Sequence, residues 1–540
     1  MRIVHVSSAD TVGGAGRAAY RLHRALIGAG VDSHMLVNAK HSDDNTVTVV
    51  PREEDFATCC GDLASRHYIN LHRTPDWNTH FSLAWPGVDL TGHPLVGEAD
   101  IIHLHWLWDF QSMATLAALM NLGKPVVWSF HDLRAMTGGC HYSAGCRGYE
   151  TGCAFCPQLT ADPAELTAAT LADQKQIWRR DAVTVIGLSN WMADCARRSA
   201  VWRDSRIEVI PNAVDTESFV PHDKAKCRRR LGLPEDARYV LFGADFGSEI
   251  RKGFRGLMRA VSMCLDDPWF ASELREGRIR LVCFGNPDPE AVCGPIPIHA
   301  LGYLSDDADL AAAYGAADFF VLPSLEDNLP NTVLESMSCG TPVLALDVGG
   351  VRDMVIEGQT GWLVPAGDEA RLSALMLEIL RKPDVAAAMG AACRGHVAGG
   401  FSPALLARRF NELYKDLLLR PPIEKLSRHA TDDVQVRLDC GPRMRLALPE
   451  IIKSLSTGME ALVGNHAKAV TQYEGTITHH EGTITHQEGT ITHQEGTIAQ
   501  YQGRITECEA KIREYRKSLS WKITKPLRSV VKLLGKSKQG

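Results

Sequence analysis

Two carboxylate side chains, Asp327 and Glu335, stand eight positions apart in a segment that suits contact with a hydroxyl-rich ligand. The segment Phe319–Gly350 reads FFVLPSLEDNLPNTVLESMSCGTPVLALDVGG. Carboxylates accept hydrogen bonds from O–H groups, so both residues could bind a ribose or a hexose. The alternative is that Asp327 or Asn328 caps a helix and that Glu335 is solvated.

The same segment predicts a helix that begins where a buried strand ends. The apolar run Phe319–Leu322 predicts the strand, and the helix is expected to begin near Pro330 or Asn331. A helix N-terminus in this position gathers free N–H groups and the positive end of the helix dipole, which suit a diphosphate. Asn331 and Thr332 are therefore candidate ligand-binding residues.

A basic pair, Arg251 and Lys252, follows another predicted strand in the stretch Phe242–Gly253, FGADFGSEIRKG. A Lys after a strand and loop can lie across a diphosphate as a compact cation. The alternative is a solvated turn.

The N-terminal half contributes a glycine-rich turn and a histidine. Gly13 and Gly14, in the run G-G-A-G after the first predicted strand, let backbone N–H groups approach phosphate or sugar closely. This run lacks the G-x-G-x-x-G spacing of a dinucleotide-binding fingerprint. His131 ends the predicted strand Pro125–Phe130, where it could bond a sugar hydroxyl, and His103 and His105 at another strand end are the alternatives.

Four cysteines, Cys140, Cys146, Cys153 and Cys156, lie within seventeen residues of a glycine-rich stretch. A tetrahedral zinc site with Cys153 and Cys156 as a C-x-x-C knuckle would suit them, and its role would be structural because four thiolates leave no open position. Four free thiols or a redox pair are the alternatives. The other cysteines stand alone in predicted strands and helices, as buried thiols do in a reducing cytosol.

The elements that position these residues are two series of β-like runs alternating with helical stretches. The runs are continuously apolar, as in parallel strands buried on both faces. They are Arg2–Ser7, Val31–Val37, Asp100–His105, Pro125–Phe130 and Val183–Leu188, and then Tyr239–Phe242, Arg280–Phe284, Phe319–Leu322 and Pro342–Leu346. This pattern predicts two doubly wound, Rossmann-like α/β domains, residues 1–200 and 201–400, that face a cleft. An amphipathic pattern predicts a closing helix over 401–420.

The chain changes character after Arg420. A polar linker is expected over 421–470, and a repeat with a period of seven follows over 471–517, in which Ile477, Ile484 and their successors hold one seam position. This predicts a weak coiled coil that forms as an oligomer, because glycine recurs at the outermost position and costs about 1 kcal/mol each time. A β-solenoid and a simple sequence expansion are the alternatives.

The last segment, 518–540, combines basic residues with apolar ones and Trp521. Such a tail could contact anionic lipid headgroups, and a solvated tail is the alternative. The 540 residues carry a net charge of -6, which gives no reason to expect nucleic-acid binding. No apolar run approaches the ~18 residues that span a bilayer. We therefore expect a cytoplasmic protein, peripheral at the inner face of the membrane.

The segment Pro323–Val343 resembles the signature of the retaining GT-B glycosyltransferases of family four, in which two acids eight apart precede a small-residue helix and G-T-P-V. Its variant E-D-N-L-P-N-T-V-L-E is similar to the exopolysaccharide and colanic-acid-type subgroup. The resemblance implies that Asp327 touches the donor sugar as a catalytic residue, although the family's first acid is usually Glu. It also implies that Glu335 binds the ribose.

The resemblance implies further roles for residues outside this segment. Lys252 matches the family's phosphate-binding Lys, whereas the family's Arg is missing from its usual place and Arg251 is the nearby substitute. Gly13 and Gly14 match a loop that meets donor and acceptor. His131 matches a catalytic-site His beside the donor sugar.

These expectations define an enzyme of the hexosyltransferase type. It would move a hexose-type sugar, with retention and without metal or another cofactor in the chemistry, from a nucleotide-diphosphate sugar to a polysaccharide or lipid-linked saccharide acceptor. The alternative is a non-catalytic GT-B-like scaffold assembled through its coiled coil. The Asp327 departure and the missing Arg leave this alternative open, whereas the presence of His131, Lys252 and Glu335 together argues against it. A GT-B epimerase or phosphorylase has no support, because the sequence shows no pyridoxal-binding Lys context.

Overall fold

The N-terminal domain is built on one parallel sheet. The computed structural model describes residues 1–51, 65–83, 87–244, 249–285 and 296–424, with residue 468 and several positions between 502 and 514. Within these, the first sheet contains β1 (Arg2–Ala9), β2 (Asp32–Ala39), β3 (Val47–Val49), β4 (Ile101–Leu104), β5 (Val126–Phe130), β6 (Val183–Gly187) and β7 (Arg206–Val209). Their spatial order is β3-β2-β1-β4-β5-β6-β7, so the order reverses between β1 and β4.

Helices pack on both faces of this sheet. They are α1 (Gly13–Gly28), α2 (Pro94–Glu98), α3 (Met113–Met120), α4 (Leu166–Ile177) and α5 (Asn190–Arg198). Successive strand residues point to opposite faces, so Ile3 packs in one apolar cluster with Leu22 of α1 while Val4 packs in another with Leu116 of α3. This two-sided burial explains why the strands read as continuous apolar runs.

The C-terminal domain repeats the arrangement with a second parallel sheet. Its strands are β8 (Arg238–Ala244), β9 (Ile279–Gly285), β10 (Ile298–Ala300), β11 (Phe319–Leu322), β12 (Val343–Leu346) and β13 (Gly361–Val364), in the spatial order β10-β9-β8-β11-β12-β13. Its helices are α6 (Lys224–Arg230), α7 (Phe254–Cys264), α8 (Pro268–Arg275), α9 (Asp307–Ala316), α10 (Asn331–Ser338), α11 (Glu369–Arg381) and α12 (Pro383–Gly400). Here the order reverses between β8 and β11.

The last helix of this unit, α13 (Pro403–Leu418), returns to the N-terminal domain. Its apolar side chains, including Phe410 and Tyr414, pack in one cluster with Ile3, Ile101 and Val127 of the first sheet. The chain therefore crosses between the domains twice, and the predicted closing helix covers the first sheet rather than the second.

The structure confirms the predicted fold class of two doubly wound, Rossmann-like domains. The first sheet extends past the predicted boundary at residue 200, because β7 follows it and pairs with β6. Short strands at or near the sheet edges, β3, β7, β10 and β13, do not appear among the predicted strands. Among the helices that the structure describes, none has the length and apolar composition needed to cross a bilayer.

The predicted C-terminal segments lie largely outside the described residues. The linker is described only to residue 424 and at residue 468, and the tail 518–540 is outside. Within the predicted coiled coil, the described positions between 502 and 514 are helical, and Lys511 Nζ lies 2.6 Å from Glu507 Oε1 one turn away. The coiled coil itself stays a prediction.

Candidate functional site

A cleft of about 730 Å³ lies where the carboxyl ends of the two sheets face each other. This volume is that of a small-molecule site, and its position at the two switch points is where doubly wound sheets bind ligands. Every residue predicted for catalysis or donor binding contributes to its lining: Gly13, Gly14, His131, Arg251, Lys252, Asp327, Asn331, Thr332 and Glu335. The fold thus brings together side chains that are up to 322 positions apart in sequence.

Asp327 is paired with both members of the basic pair. Its Oδ2 lies 2.9 Å from Lys252 Nζ and 3.2 Å from Arg251 Nη1. Burial alone would raise the pKa of this carboxyl, but Lys252 and Arg251 outweigh burial and hold the pKa below its ordinary value. Asp327 is therefore an anion that holds two cations near the carboxyl end of β11.

Arg251 is buried, and its guanidinium is held on several sides. It donates through Nη1 to the carbonyl of Glu326 at 2.9 Å and through Nη2 to Glu249 at 2.8 Å. Its Cζ also lies 3.9 Å from the ring centroid of Tyr142, from the other domain. Burial opposes the charge, but Tyr142, Asp327 and Glu249 raise the pKa of Arg251 above its ordinary value. Its positive charge is a fixed feature of the cleft wall.

The N-terminus of α10 opens into the cleft. Pro330 precedes the helix, and no side chain of the described residues caps it. Asn331 Nδ2 donates to the carbonyl of Gly14 at 3.0 Å, so this helix end meets the glycine turn of the other domain. Gly13 has a φ of 71°, a conformation that favours glycine. Uncapped N–H groups beside Lys252 can bind an anion.

Glu335 is buried, so the alternative interpretation that its side chain is solvated is wrong. Its Oε1 accepts a hydrogen bond from Arg21 Nη2 at 2.8 Å, and its Oε2 accepts one from the Tyr314 hydroxyl at 3.1 Å. Arg21 belongs to α1 of the N-terminal domain, so this ion pair joins the two domains. The carboxylate on the cleft wall is thus oriented by one partner from each domain.

His131 lies at the carboxyl end of β5, as predicted, and contacts a second histidine. Its Nε2 is 3.3 Å from Nδ1 of His105, whose Nε2 is 2.9 Å from Nδ1 of His5. Burial lowers the pKa of His131 to about 4, so the ring is neutral near pH 7. The rival His103 faces away from the cleft and bonds Tyr414 and Ser129.

The loop between β11 and α10 joins the C-terminal domain to the N-terminal domain through the two neighbours of Asp327. Asn328 Nδ2 donates to the carbonyls of Phe130 and His131 at 2.9 and 3.2 Å, and its Oδ1 accepts from Ser189 Oγ at 2.7 Å. Glu326, the residue before Asp327, accepts from the backbone N–H of Ala144 at 2.8 Å. Asp327 thus faces the cleft while its two neighbours bind the other domain.

Several residues that line the cleft or contact its lining were not among the predicted ones. Arg21 and Tyr142 contact Glu335 and Arg251 across the domain boundary, and Asp132, next to His131, accepts from Trp106 Nε1 at 2.7 Å. Partners this distant in sequence have no local signal. The one local signal for Arg21 in the sequence is its position one helical turn beyond Arg17, which lines the cleft.

The four clustered cysteines lie outside this cleft. All of them line a separate cavity of about 20 Å³ in the loop that follows β5. Among the residues that the structure describes, the group of three metal-ligating side chains whose ligand atoms lie within 4.8 Å of one another is His5, His103 and His105. No three of the four cysteine sulfurs meet this spacing.

Two family models match the chain, one in each domain. The model described as Glycosyltransferase Family 4 matches residues 12–218, and the model described as Glycosyl transferases group 1 matches residues 237–382. Together they cover the two sheets and the cleft between them. Both domains are thus similar to glycosyltransferases of group 1 and family 4, and the two sheets have the GT-B arrangement.

Individual relatives agree with this assignment. A D-inositol 3-phosphate glycosyltransferase from Thermobispora bispora is 34% identical over 227 residues, which are 40% of this chain and 51% of the relative. The chain thus spans about half the length of that relative. A glycosyl transferase assigned to colanic acid biosynthesis, WcaC from Escherichia coli, is 25% identical over 405 residues, which are 72% of this chain and 92% of WcaC.

A solved structure shows the same fold. HepE from Anabaena, in complex with UDP-glucose, superimposes with a TM-score of 0.52 at 15% identity. The superposition covers 77% of this chain and all of HepE. At this identity the likeness establishes the architecture and not the substrate.

Proposed function

We propose that the protein transfers a hexose-type sugar from a nucleotide-diphosphate sugar to a polysaccharide or lipid-linked saccharide acceptor. The observation that carries the proposal is the convergence of Lys252, Arg251, the α10 N-terminus and the Glu335 carboxylate on one cleft. Cations and free N–H groups suit a diphosphate, while carboxylates suit the hydroxyls of ribose and hexose. The E. coli relative's name supports a saccharide acceptor, and the UDP-glucose bound by HepE supports a UDP-sugar as the first donor to test.

The diphosphate would lie between Lys252 and the first turn of α10. In that position the positive charge of Lys252 and Arg251 stabilises the phosphate oxygens as the sugar leaves, without a base and without a metal. The ribose would bind Glu335, and the hexose would lie between Asp327 and His131. A neutral His131 can donate to or accept from a sugar hydroxyl without placing a second cation there.

Transfer with retention of configuration is the stereochemical part of the proposal. The donor would enter from the C-terminal domain and the acceptor would approach past Gly13 and Gly14 of the N-terminal domain. Retention in a single step requires that the leaving group and the acceptor share one face of the sugar. Comparing the anomeric proton couplings of donor and product by NMR tests this directly.

Donor hydrolysis is the most direct test of the activity. Full-length protein would be incubated with UDP-, GDP- and ADP-sugars, and release of the nucleoside diphosphate would be measured for wild type and for Lys252→Ala. We expect release from one nucleotide class, reduced in the variant. Release from none, with folded protein and added saccharide acceptors, would leave the non-catalytic scaffold as the better interpretation.

The C-terminal segments would bring the enzyme to its acceptor. We propose that the heptad repeat makes a homo-oligomer and that the basic tail binds the inner face of the cell membrane, where lipid-linked acceptors reside. Full-length protein should sediment with anionic liposomes and form oligomers, whereas a chain ending at Arg420 should do neither. Equal liposome binding by two monomeric proteins would refute this.

A further inference from the structure

Four cysteines that sugar transfer does not use surround a cavity the size of a single atom. Cys140, Cys146, Cys153 and Cys156 all line it, and its volume is about 20 Å³. About 10–15 Å³ is enough for one water molecule, so the cavity would hold one small ion. All four thiols are free in the structure.

Backbone N–H groups point at three of the sulfur atoms. Gly138 N donates to Cys153 Sγ at 3.3 Å, and Gly148 N donates to Cys146 Sγ at 3.3 Å. The sulfur of Cys156 accepts from the backbone N–H groups of Gln158 and Leu159. N–H donors aimed at sulfur favour the thiolate, which is the form that binds a metal.

The turn of the C-x-x-C pair adopts a backbone conformation that its residues do not favour. Cys153 and Phe155 have φ angles of 51° and 59°. Such a conformation is unfavourable for a non-glycine residue and persists only where its surroundings hold it. Packing of Phe155 does not hold this turn, because that side chain is 98% exposed. The backbone of Cys153 is held by Gly148, whose carbonyl accepts from the Cys153 N–H at 2.9 Å, and by Thr167 Oγ1, which donates to the Cys153 carbonyl at 2.8 Å. A ligand shared by Cys153 and Cys156 would also fix the rest of the turn.

We propose that these four cysteines bind one structural zinc ion. A set of four thiolates is the donor set of a closed tetrahedral zinc site. Zn–S bonds of about 2.3 Å place the sulfurs ~3.8 Å apart, so the side chains must rotate into the cavity as the metal binds.

The zinc ion would fix a loop that completes the donor side of the cleft. Between Cys140 and Cys146, Ser143 and Ala144 bind the Glu326 carboxylate. Tyr142, in the same stretch, stacks on Arg251. The zinc ion would hold these three contacts in place without itself contacting the sugar donor. This consequence for the donor rests on the proposed function, whereas zinc binding itself does not.

Metal content tests the site without any activity assay. Full-length protein purified without chelator, incubated with Zn²⁺ and desalted should hold about one zinc per chain. Cys153→Ser should lose it, while Cys264→Ser should keep it, because a hydroxyl there can still bond Ser373. Cobalt substitution of the wild type should give the sulfur-to-metal charge-transfer band of a thiolate site. Wild-type protein without retained zinc would overturn the proposal, and so would zinc retained in Cys153→Ser, for example at the His5, His103 and His105 group.

Limited proteolysis tests whether the metal holds the loop. Arg147 lies between the cysteines and its side chain is 73% exposed, so trypsin can reach it. Removing zinc from the full-length protein should speed cleavage after Arg147 several-fold, and restoring zinc should reverse this. Equal cleavage rates with and without zinc would refute the role of the metal in fixing the loop.

Discussion

The ion pair between Arg21 and Glu335 allows the domain contact and the donor contact to be separated by experiment. Arg21→Met leaves the Glu335 carboxylate buried with Tyr314 as its remaining partner at 3.1 Å. Breaking a buried pair by removing one partner costs about 3–5 kcal/mol. Glu335→Gln leaves the Arg21 cation without a carboxylate and should cost a similar amount. In the double variant neither charge is stranded, so its free energy of unfolding should be higher than the two single effects predict.

The assay is a double-mutant cycle with two readouts. Urea unfolding followed by tryptophan fluorescence should give a coupling energy of about 2–3 kcal/mol between the two positions. Glu378→Gln is the matched control, because Glu378 sits in an exposed pair with Lys382 at 3.4 Å. Such surface pairs contribute less than about 1 kcal/mol.

Turnover distinguishes the two roles of Glu335. A hydrogen bond to a charged group contributes about 1.5–3 kcal/mol, so Glu335→Gln should lower kcat/KM for the donor by about 10–150-fold. Arg21→Met, which keeps the carboxylate, should lose less. A coupling energy below about 0.5 kcal/mol would refute the ion pair across the domains, and unchanged kcat/KM in Glu335→Gln would refute its contact with the donor.

Two further predictions concern charge in and behind the cleft. Lys252→Ala should lower kcat/KM by about 10²–10³-fold, because the transition state loses one cation. Stability should change little, because Asp327 keeps its ion pair with Arg251. Wild-type rates in this variant would contradict the prediction. Burial lowers the pKa of His131 and His23 to about 4, so between pH 6.5 and 4 the unfolded chain binds protons that the folded chain does not. The free energy of unfolding should therefore fall as the pH falls, and at pH 5.5 each of these histidines should have lowered it by about 1.4 kcal/mol. Urea unfolding at several pH values measures this, and a midpoint that does not change with pH would contradict it.

Strands buried on both faces could be predicted from the sequence, whereas several short strands could not. The apolar runs of β1 and β5 have no alternative explanation, because both of their faces enter an apolar cluster. By contrast β7 reads Arg-Ile-Glu-Val and is only partly buried, and β10 spans three residues with little burial. A strand near an edge has less apolar surface to bury, so its sequence carries a weaker pattern.

The candidate site was predictable where a motif fixes local geometry and not where the geometry comes from tertiary packing. Asp327 and Lys252 stand next to strand ends, and parallel strands bring their carboxyl ends to one edge. The environment of Glu335 depends on Arg21, 314 residues earlier, and no local pattern encodes that pairing. Likewise the sequence predicts Arg251 as the substitute for the family's Arg, but not the contact of its guanidinium with Tyr142 of the other domain.

On the proposed function, donor binding is an exchange of partners rather than the filling of an inert space. Asp327 holds the cations that would bind the diphosphate, and Arg21 occupies the carboxylate that would bind the ribose. These groups are thus desolvated and oriented before the donor arrives, so little reorganisation remains for the transfer step. The loop from Glu326 to Asn328 also joins the two domains, because Asn328 donates a hydrogen bond to the carbonyl of His131. The contacts that place Asp327 in the cleft are thus the same contacts that join the two domains.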